Sequence, residues 1–420
     1  MRDLMPELTN GCLVALTVAA LLFALPALFD KIAGPPGEEP LVFYSPVLGQ
    51  FIYQRSPGSH RFEYRDEEGR EYSRQEFEEL LPFVYFRNLE RRNLLPVTVA
   101  GRRFQLEDIA AERQGLEIRA RHLRGHFPQI PLYPLFNTDP ETAMMPFPEK
   151  LFRFTDRGME FVNADFNRVN PELSLRFTRA LEGAGFVFPA TLIAGRPTNL
   201  KPFDDGYFIR DAAGQVFHLR RVVNQPVVHN LGLDRTLDIA DIVVSEHERR
   251  EFRGLIITRQ GQILLISWDD YRLIPLPVEG YDPARMDIRL LIDPLYRTLT
   301  VSSSDVVFGV AMDAAYLPLH RFSLPRPRDE ESALKRLRDV FFPLVLTVES
   351  PWRGQADLQL RYGGVWSTGG VGAALLLLVL LNLGRKRPLL PLSQLVPVAL
   401  AGLPGLIAVL LVGRAAGDSQ

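Results

Sequence analysis

One short segment of the chain combines residue types that can do chemistry. Residues 201–208 read KPFDDGYF, which places a cation, aromatic rings and two adjacent carboxylates beside a glycine turn. Two neighbouring aspartates can bind a cation or accept a proton, but adjacent side chains on an extended strand point to opposite faces. Joint use of the carboxylates therefore requires the turn to realign them. The candidate ligand or partner surface consists of Lys201, Phe203, Asp204, Asp205 and Tyr207, and the alternative is a turn that only leads into a strand at Tyr207.

The rest of the sequence lacks the motifs of common catalytic sites. It contains no Gly-Lys dipeptide, so a phosphate-binding loop is excluded, and neither a G-x-S-x-G elbow nor a G-x-G-x-x-G turn occurs. The single cysteine, Cys12, excludes an intrachain disulfide and a cysteine-based zinc site. We therefore predict no catalytic residue, no metal site and no cofactor.

The overall charge argues against nucleic acid as a partner. The 48 basic and 50 acidic residues give a formal net charge of -2, which leaves no global positive field. Hydrophobic residues at 46% and charged residues at 23% are near ordinary globular usage, so the chain can form a packed core. A length of 420 residues suggests two or three structural units, at about 150 residues each.

Uncharged apolar segments near both ends of the chain predict membrane-spanning helices. They cover residues 11–29, 365–383 and 389–412. A helix rises about 1.5 Å per residue, so segments of this length nearly cross or fully cross a hydrocarbon core roughly 30 Å thick. A cleaved signal peptide is the alternative for the first segment, and a buried helical hairpin is the alternative for the other two. The prolines within residues 389–412 are compatible with a membrane helix when neighbouring groups satisfy the freed carbonyls.

The charges next to the apolar segments predict an orientation. Arg385, Lys386 and Arg387 lie in the short connection 384–388, which stays in the cytoplasm under the positive-inside rule. The resulting topology has a cytoplasmic N-terminus, a large extracytoplasmic β-rich domain and an extracytoplasmic tail, at residues 1–10, 30–364 and 413–420. We therefore expect a multi-pass protein of the cytoplasmic membrane that contacts membrane lipid.

Glycines near the start of the second apolar segment suggest helix packing. Gly369, Gly370 and Gly372 would let a neighbouring membrane helix approach closely. The three apolar segments contain no Asp, Glu, Lys or Arg, so they do not predict a substrate route of their own.

The long segment between the first and second apolar segments repeats a strand, turn, strand pattern. Its turns centre on Gly69, Gly158, Gly214 and Gly261, and a weaker copy joins residues 299–301 to 306–308. The later glycines are 56 residues (214 minus 158) and 47 residues (261 minus 214) apart, near the roughly 40 to 50 residues of a propeller blade. The prediction is a mainly β domain, propeller-like or made of stacked hairpins, with an irregular α+β domain as the alternative.

A few helices are predicted within this β-rich segment. Ser73 and Glu76 form a capping-box pattern, which predicts a helix that ends or kinks at Pro82. Asn170 before Pro171 predicts a second helix start, and Gly183 can end that helix. Residues 330–340 predict a charged helix, followed by a strand over 344–348.

Several of these segments together resemble an uncharacterised family of bacterial membrane proteins that has only a domain-of-unknown-function label. The resemblance rests on residues 42–47 (VFYSPV), 69–77 (GREYSRQEF), 80–83 (LLPF), 152–157 (FRFTDR), 184–190 (AGFVFPA), 201–208 (KPFDDGYF) and 271–277 (YRLIPLP), and it extends from residue 42 to about residue 342. Genes of this family often lie beside genes for ABC-transporter ATPases and permeases. The resemblance implies a bacterial inner-membrane setting and transporter partners, and it assigns no catalytic residue.

These observations lead to three functional hypotheses. The first is a non-enzymatic accessory or permease-associated subunit of an ABC-type transport system, with ATP hydrolysed by another chain. The second is a membrane-anchored extracytoplasmic sensor or ligand-binding module, suggested by the propeller-like spacing and by residues 201–207. The third is an enzyme that acts on the cell envelope, for which the sequence contains no matching constellation of residues.

Overall fold

The computed structural model describes most of the chain, and its helices and strands follow in chain order. The described residues are 4–33, 39–58, 61–123, 131–139, 145–163, 165–326, 333–349, 357–384 and 391–415. The helices are α1 (Leu4–Ala33), α2 (Arg74–Leu80), α3 (Phe86–Arg91), α4 (Leu106–Glu112), a 3-10 helix (Ala120–His122), α5 (Pro171–Gly183), α6 (Ala333–Phe341), α7 (Trp366–Gly384), α8 (Leu392–Ala401) and α9 (Leu403–Ala415).

Strands make up more of the protein than helices, 36% against 29%, which confirms the β-rich prediction. The strands are β1 (Leu41–Ser45), β2 (Gln50–Gly58), β3 (Arg61–Asp66), β4 (Glu71–Tyr72), β5 (Val97–Val99), β6 (Arg102–Phe104), β7 (Gln114–Ile118), β8 (Tyr133–Pro134), β9 (Asn137–Thr138), β10 (Lys150–Thr155), β11 (Gly158–Asn163), β12 (Arg168–Asn170), β13 (Leu192–Gly195), β14 (Tyr207–Arg210), β15 (Val216–Val222), β16 (Gln225–Asn230), β17 (Ile239–Val244), β18 (Phe252–Thr258), β19 (Ile263–Ser267), β20 (Leu273–Pro275), β21 (Asp287–Ile292), β22 (Arg297–Ser302), β23 (Val306–Met312), β24 (Pro318–Pro325), β25 (Leu344–Glu349) and β26 (Asp357–Tyr362).

The chain divides into two compact units. The helical unit comprises residues 1–39, 56–60 and 327–420, and the β-rich unit comprises residues 40–55 and 61–326. The strands β25 and β26 belong to the helical unit, so the predicted extracytoplasmic segment 30–364 includes residues of both units.

The β-rich unit consists of successive antiparallel sheets. The sheet orders are β1-β2-β3-β4, β12-β11-β10-β8, β13-β14-β15-β16, β17-β18-β19-β20 and β24-β23-β22-β21-β7, with a small β5-β6 hairpin. Strand β9 joins the third sheet by pairing in parallel with β15. Most neighbours in these sheets are consecutive along the chain, so short hairpins make most of the connections.

The structure confirms the predicted hairpin turns. Gly69 lies between β3 and β4, Gly158 begins β11, Gly214 lies between β14 and β15, and Gly261 lies between β18 and β19. The weaker copy is the hairpin of β22 and β23. Gly261 has φ +81°, and a Cβ added there would lie 2.0 Å from the carbonyl oxygen of Tyr281. Only glycine fits this turn without strain.

The predicted helix starts are confirmed as well. Ser73 and Glu76 form the reciprocal capping box of α2. The side chain of Asn170 accepts a hydrogen bond from the amide of Leu173, and Pro171 is the first residue of α5. Helix α6 matches the predicted charged helix, and β25 matches the predicted strand that follows it.

Two neighbouring sheets pack through an apolar core that positions the candidate site. Ala194 of β13 and Phe208 of β14 share this core with Ile242 of β17 and Ile256 of β18. Because the sheets pack in this way, the loop between β13 and β14 lies beside the end of β17. That loop contains residues 201–206 of the candidate segment.

In the helical unit, two helices are long and apolar enough to cross a membrane. They cover Thr9–Ile32 and Trp366–Gly384, and their apolar windows have mean hydropathies of 2.6 and 1.8. These helices correspond to the predicted segments 11–29 and 365–383, with the first helix extended at both ends. Arg385, Lys386 and Arg387 lie outside the described residues.

The prediction of one continuous third helix over 389–412 is wrong. The segment forms α8 and α9, which are separated at Gly402, where φ is +60°. Pro404 lies in the first turn of α9, where its missing N–H costs nothing, and Gly402 ends α8. A Cβ on Gly405 would lie 2.1 Å from the carbonyl oxygen of Pro397. Pro397 and Gly405 are eight residues apart and would be separated by about 12 Å along a straight helix. Because they are in contact, the chain reverses between them and α9 lies against α8.

The three predicted packing glycines differ in their surroundings. Gly370 is buried, and a Cβ there would lie 1.9 Å from the carbonyl oxygen of Val340 in α6. Gly369 and Gly372 are exposed, and an added Cβ meets no atom of the described residues within 4 Å. Gly370 therefore packs closely against another helix of the same chain, and the predicted packing of the three glycines against a neighbouring membrane helix stays a prediction.

Candidate functional site

The side chain of Lys201 lies at the centre of a buried ionic cluster. Its Nζ donates to Asp204 Oδ1 at 2.5 Å, to Glu246 Oε1 at 2.7 Å and to the carbonyl oxygen of Arg196 at 3.0 Å. The side chains of Lys201 and Glu246 are 0% exposed, and that of Asp204 is 1% exposed. The ammonium group also lies 4.9 Å from the ring centroid of Phe136. One buried cation is thus shared by two buried carboxylates.

Asp205 belongs to a second buried ion pair. Its carboxylate accepts from Arg253 Nη1 at 2.6 Å and 2.9 Å, and its backbone amide donates to Glu246 Oε1 at 2.8 Å. Arg253 lies over the rings of Trp268 and Tyr271, at 4.2 Å and 4.6 Å from their centroids. Asp204 and Asp205 therefore have different cationic partners and do not converge on one ion.

His218 forms a hydrogen bond to the turn that contains Asp205. Its Nε2 donates to the carbonyl oxygen of Asp205, and its Nδ1 accepts from the Tyr271 hydroxyl at 2.8 Å. The ring is buried and stacks on Phe208 with a centroid distance of 4.5 Å. Burial lowers the pKa of His218 to about 3, so the imidazole is neutral at physiological pH.

Phe203 and Tyr207 contact different parts of the protein. The Tyr207 hydroxyl donates to the carbonyl oxygen of Pro134 at 2.8 Å, and the whole side chain is buried. Phe203 is half-buried and packs edge-on against Trp268, with Arg250 at 4.6 Å from its ring centroid. Of the five residues predicted to form a ligand or partner surface, Lys201, Asp204, Asp205 and Tyr207 have buried side chains, and Phe203 is half-buried.

A cavity of about 520 Å³ adjoins this cluster. Its lining includes the end of β13, part of β7, the strand β17 and the residues that follow it, with Tyr133, Tyr207, Arg196 and Glu246 among the side chains. Cavities of roughly 300 to 1,000 Å³ are typical of small-molecule sites.

Glu246 connects the ionic cluster with the cavity. Its Oε1 accepts from Lys201 and from the amide of Asp205, whereas its Oε2 is buried without a hydrogen-bond partner in the part of the chain that the structure describes. The guanidinium Nε of Arg196 lies 4.0 Å from Oε2. Burial raises the pKa of Glu246 to about 7 against the opposing effect of Lys201. Glu246 therefore lines the cavity as a residue, while its side chain is fully buried and has one oxygen without a hydrogen-bond partner among the described residues.

Sequence reasoning identified the Lys201 loop and missed its partners. Glu246 lies 45 residues after Lys201, and Arg253 lies 48 residues after Asp205. Glu246 immediately precedes residues 247–251 (HERRE), and such a charged run predicts a solvent-exposed turn. No local signal marked His218, since a single histidine on a strand has no pattern that distinguishes it.

The buried histidine predicts a specific acid sensitivity. Below pH 6.5 the unfolded chain binds a proton at His218 that the folded chain does not bind until about pH 3, so this residue lowers stability as pH falls through that range. Glutamine can reproduce one hydrogen bond without titrating. We expect the stability difference between wild type and His218→Gln to be largest above pH 7 and to shrink steadily toward pH 4, as measured by urea unfolding at a series of pH values.

The control for this experiment is His229→Gln. His229 is exposed and also contacts the Tyr271 ring, at 4.3 Å between centroids, so it matches His218 in residue type and neighbour but not in burial. The His229→Gln variant retains the buried His218, so it should not show the loss of pH dependence expected of His218→Gln. A His218→Gln difference that stays constant between pH 8 and pH 4 would contradict the assignment of a neutral buried imidazole.

The fold and the site define a β-rich protein with two apolar helices of membrane-spanning length and an ionic cluster beneath a cavity. The chain belongs to the family described as Domain of unknown function (DUF4857), whose model matches residues 41–312. A comparison with curated proteins finds no match. The match confirms the resemblance to an uncharacterised family, and it covers nearly all of the β-rich unit.

Proposed function

We propose that this protein is a non-enzymatic accessory or permease-associated subunit of an ABC-type transport system in the bacterial inner membrane. In this proposal the apolar helices anchor the chain, the β-rich unit lies outside the cytoplasm, and another chain hydrolyses ATP. The absence of a phosphate-binding loop from the sequence is consistent with this division of labour. The transporter partner itself is an expectation from the family resemblance.

The observation that carries the proposal is an uncovered apolar face on the hairpin of β25 and β26. Its cross-strand pairs on that face are Leu344 with Tyr362, Leu346 with Leu360, and Val348 with Leu358. The four residues Val348, Leu358, Leu360 and Tyr362 are between 50% and 66% exposed. A contiguous apolar face of this kind is typical of an interaction surface.

A protein is a better occupant of this face than lipid hydrocarbon. The hairpin is a two-stranded sheet, so the outer edge of each strand has unpaired backbone groups within the described chain. Unpaired strand edges are not tolerated in hydrocarbon, because each unsatisfied amide or carbonyl costs several kcal/mol there. A partner protein can cover the apolar side chains and pair with an edge at the same time.

The exposed side of α7 provides a second contact for a partner within the membrane. Gly369 and Gly372 are open, and the same side of the helix continues with Leu376, Leu380 and Leu383. Small residues at such positions let helix backbones approach closely. This surface supports association with the membrane helices of a permease.

The proposed topology follows the positive-inside rule. Arg385, Lys386 and Arg387 place the connection after α7 in the cytoplasm, so α7 runs inward and α1 runs outward. The chain reversal at Gly402 changes the expected end of the chain. Because α9 returns along α8, we place the end of α9 on the same side as the start of α8, and not on the extracytoplasmic side as one continuous third span would require.

Affinity purification of the tagged full-length protein from its native membrane, in mild detergent, tests the proposal. We expect an ABC ATPase and a permease to be recovered in fixed ratio by mass spectrometry. The double variant Leu358→Ser/Leu360→Ser should reduce that recovery by at least about tenfold, since each leucine contributes roughly 1.5 to 3 kcal/mol when buried.

Gln359→Ser/Arg361→Ser is the matched control, because these residues lie on the same strand and point to the opposite face. This control should retain the partners. Recovery of the wild-type protein without any membrane partner, or equal loss in both double variants, would contradict the proposal.

The cavity next to Glu246 favours a second candidate function, an extracytoplasmic sensor or ligand-binding module. A cavity of about 520 Å³ beside a buried carboxyl that lacks a hydrogen-bond partner on one oxygen, among the described residues, has the size expected of a small-molecule site. A thermal-shift screen of small molecules against the full chain tests this function. Stabilisation by any compound that is lost on Glu246→Gln substitution would support it.

A further inference from the structure

The strand β7 is an open edge of the five-stranded sheet β24-β23-β22-β21-β7. It pairs with β21 on one side, and no other strand of the described residues pairs with its second side. The outer side of such an edge strand presents backbone N–H and C=O groups that can pair with another chain. β7 can therefore serve as the template for a further strand.

The register of the sheet identifies the backbone groups that point outward. In an antiparallel pair, alternate residues turn their N–H and C=O groups to opposite sides of the strand. The amide of Asp293 donates at 3.0 Å to the residue that precedes β22, so the residue before it, Ile292, faces β7. The β7 partner of Ile292 is Gln114, which therefore faces β21. By the same alternation, Gly115 and Glu117 turn their backbone groups to the open side of β7.

Both of these outward-facing residues are accessible at the cavity. Gly115 and Glu117 are exposed, and they line the cavity of about 520 Å³ together with Leu116. At Gly115 the exposed surface is backbone, because glycine has no side chain. Gln114 Nε2 donates to Ser245 Oγ at 3.1 Å, which joins the start of β7 to the residue after β17. Because β17 lines the same cavity, the cavity lies alongside the open edge of β7.

The opposite edge of the same sheet has features that block strand addition. β24 begins with Pro318 and ends with Pro325, and its pairing with β23 has a register shift next to Met312. Prolines and bulges protect an edge strand, because proline has no N–H and a bulge disrupts the ladder. β7 has the sequence QGLEI, without proline, and its pairing with β21 is regular. The sheet is thus protected at β24 and open at β7.

The lining of the cavity indicates the side chains that an added strand would carry. Leu116, Tyr133 and Ile193 provide an apolar part of the lining. Side chains alternate between the two faces of a sheet, so every second side chain of an added strand lies on the face of Leu116. In strand addition the backbone provides affinity, and pockets for alternate side chains provide specificity. Apolar side chains at alternate positions suit this cavity.

We propose that the β7 edge binds an extended segment of a partner protein as an added β-strand, with apolar side chains at alternate positions of that segment. Gly115 and Glu117 form the backbone hydrogen bonds, and Leu116 contacts the apolar side chains. This inference rests on the second candidate function, ligand binding at the cavity, and it names the ligand as a peptide.

Selection from random peptides displayed on phage tests the inference, with the full chain in mild detergent as the target. Peptides of about ten residues cover the usual length of a strand. We expect the enriched peptides to have apolar residues at alternate positions. A synthetic enriched peptide should slow hydrogen exchange in β7 and leave it unchanged in β24, as measured by mass spectrometry. Glu117→Pro should weaken its binding about three- to tenfold, because one outward N–H is lost.

Ser323→Pro is the matched control, on the opposite edge of the sheet. The amide of Ser303 donates to the carbonyl oxygen of Val306, so Val306 faces β22, and by alternation Phe308 does as well. Ser323 is opposite Phe308 in the register, so its N–H points to the open side of β24. Both proline variants remove one outward N–H, but Ser323 lies outside the cavity lining. Ser323→Pro should leave peptide binding unchanged.

N-methylation of the peptide, one amide at a time, keeps the test decisive if Glu117→Pro disturbs the fold. Each methyl group removes one backbone donor of the peptide, and only every second amide of an added strand faces β7. Binding should therefore weaken about tenfold or more at alternate positions along the peptide. A loss that is uniform along the peptide, or no loss, would overturn strand addition.

Other outcomes separate the peptide from other occupants. Enrichment of no peptide, or equal binding to both proline variants, would overturn the inference. Stabilisation by a compound in the thermal-shift screen would then still support ligand binding at the cavity. Light scattering could instead show concentration-dependent dimers of the wild type that Glu117→Pro abolishes. That result would assign the β7 edge to a second copy of this chain and overturn the assignment to a partner protein.

Discussion

Lys201→Met is expected to destabilise the protein by about 3 to 5 kcal/mol, the range for removing one partner of a buried ion pair. The substitution keeps most of the side-chain volume and removes the charge. It leaves Asp204 and Glu246, whose side chains are 1% and 0% exposed, without their shared cation. Urea unfolding of the full chain in mild detergent, followed by circular dichroism, measures the change.

The loss should increase with pH. Burial already raises the pKa of Asp204 and of Glu246, and without Lys201 both carboxyls would stay protonated to still higher pH in the folded chain. In the unfolded chain they ionise near their ordinary values, so the folded state of the variant binds more protons and its stability falls as pH rises. The decrease in the free energy of unfolding caused by Lys201→Met is therefore expected to be larger at pH 8 than at pH 5.

Arg259→Met is the matched control for Lys201→Met. Arg259 pairs with Asp238 at 3.1 Å, but both side chains are about half exposed, at 53% and 44%. An exposed pair of this kind contributes between about 0 and 1 kcal/mol. If Lys201→Met costs no more than Arg259→Met, the buried cluster does not have the stabilising role that its geometry indicates.

Gly370→Ala is expected to disrupt the packing of α7 on α6 and to cost about 3 kcal/mol, the upper end of the usual range for overpacking. The added methyl carbon would lie 1.9 Å from the carbonyl oxygen of Val340. That oxygen is part of the helix backbone and cannot move aside as a flexible side chain can. Thermal unfolding of the detergent-solubilised protein measures the loss.

Gly369→Ala and Gly372→Ala are controls on the same helix. An added Cβ at either position meets nothing within 4 Å in the described chain. Alanine has the higher helix propensity, so each substitution should be neutral or stabilising by up to about 1 kcal/mol. Equal destabilisation by all three substitutions would show that helix propensity or the membrane environment, and not contact with α6, determines the effect.

Much of the β-rich unit could be predicted because its signals are local. The turns at Gly214 and Gly261 require positive φ, with observed values of +85° and +81°, and only the residues of the turn decide that requirement. The capping box at Ser73 is likewise complete within four residues. Long uncharged runs identified the apolar helices α1 and α7, since apolar composition and length are properties of consecutive residues.

Residues 389–412 show where composition is insufficient. The run is uncharged throughout, yet the chain turns at Gly402 and the two short helices pack on each other, with Val398 of α8 and Leu406 of α9 in one apolar cluster. The prolines in this run are compatible with either a kinked span or a reversal. Packing against α7 through Ala374 and Leu378 decides between these arrangements, and no local pattern encodes it.

The sequence alone determined the local elements of this protein: its glycine turns, its capped helices, its apolar helices and the chemical character of residues 201–208. The tertiary structure decided that those residues are buried, because the packing of β13 and β14 against β17 and β18 places Glu246 and Arg253 beside them. An ion pair depends on which distant segments the fold brings together. Turn and helix signals depend on a few consecutive residues, and for that reason they can be read before the fold is known.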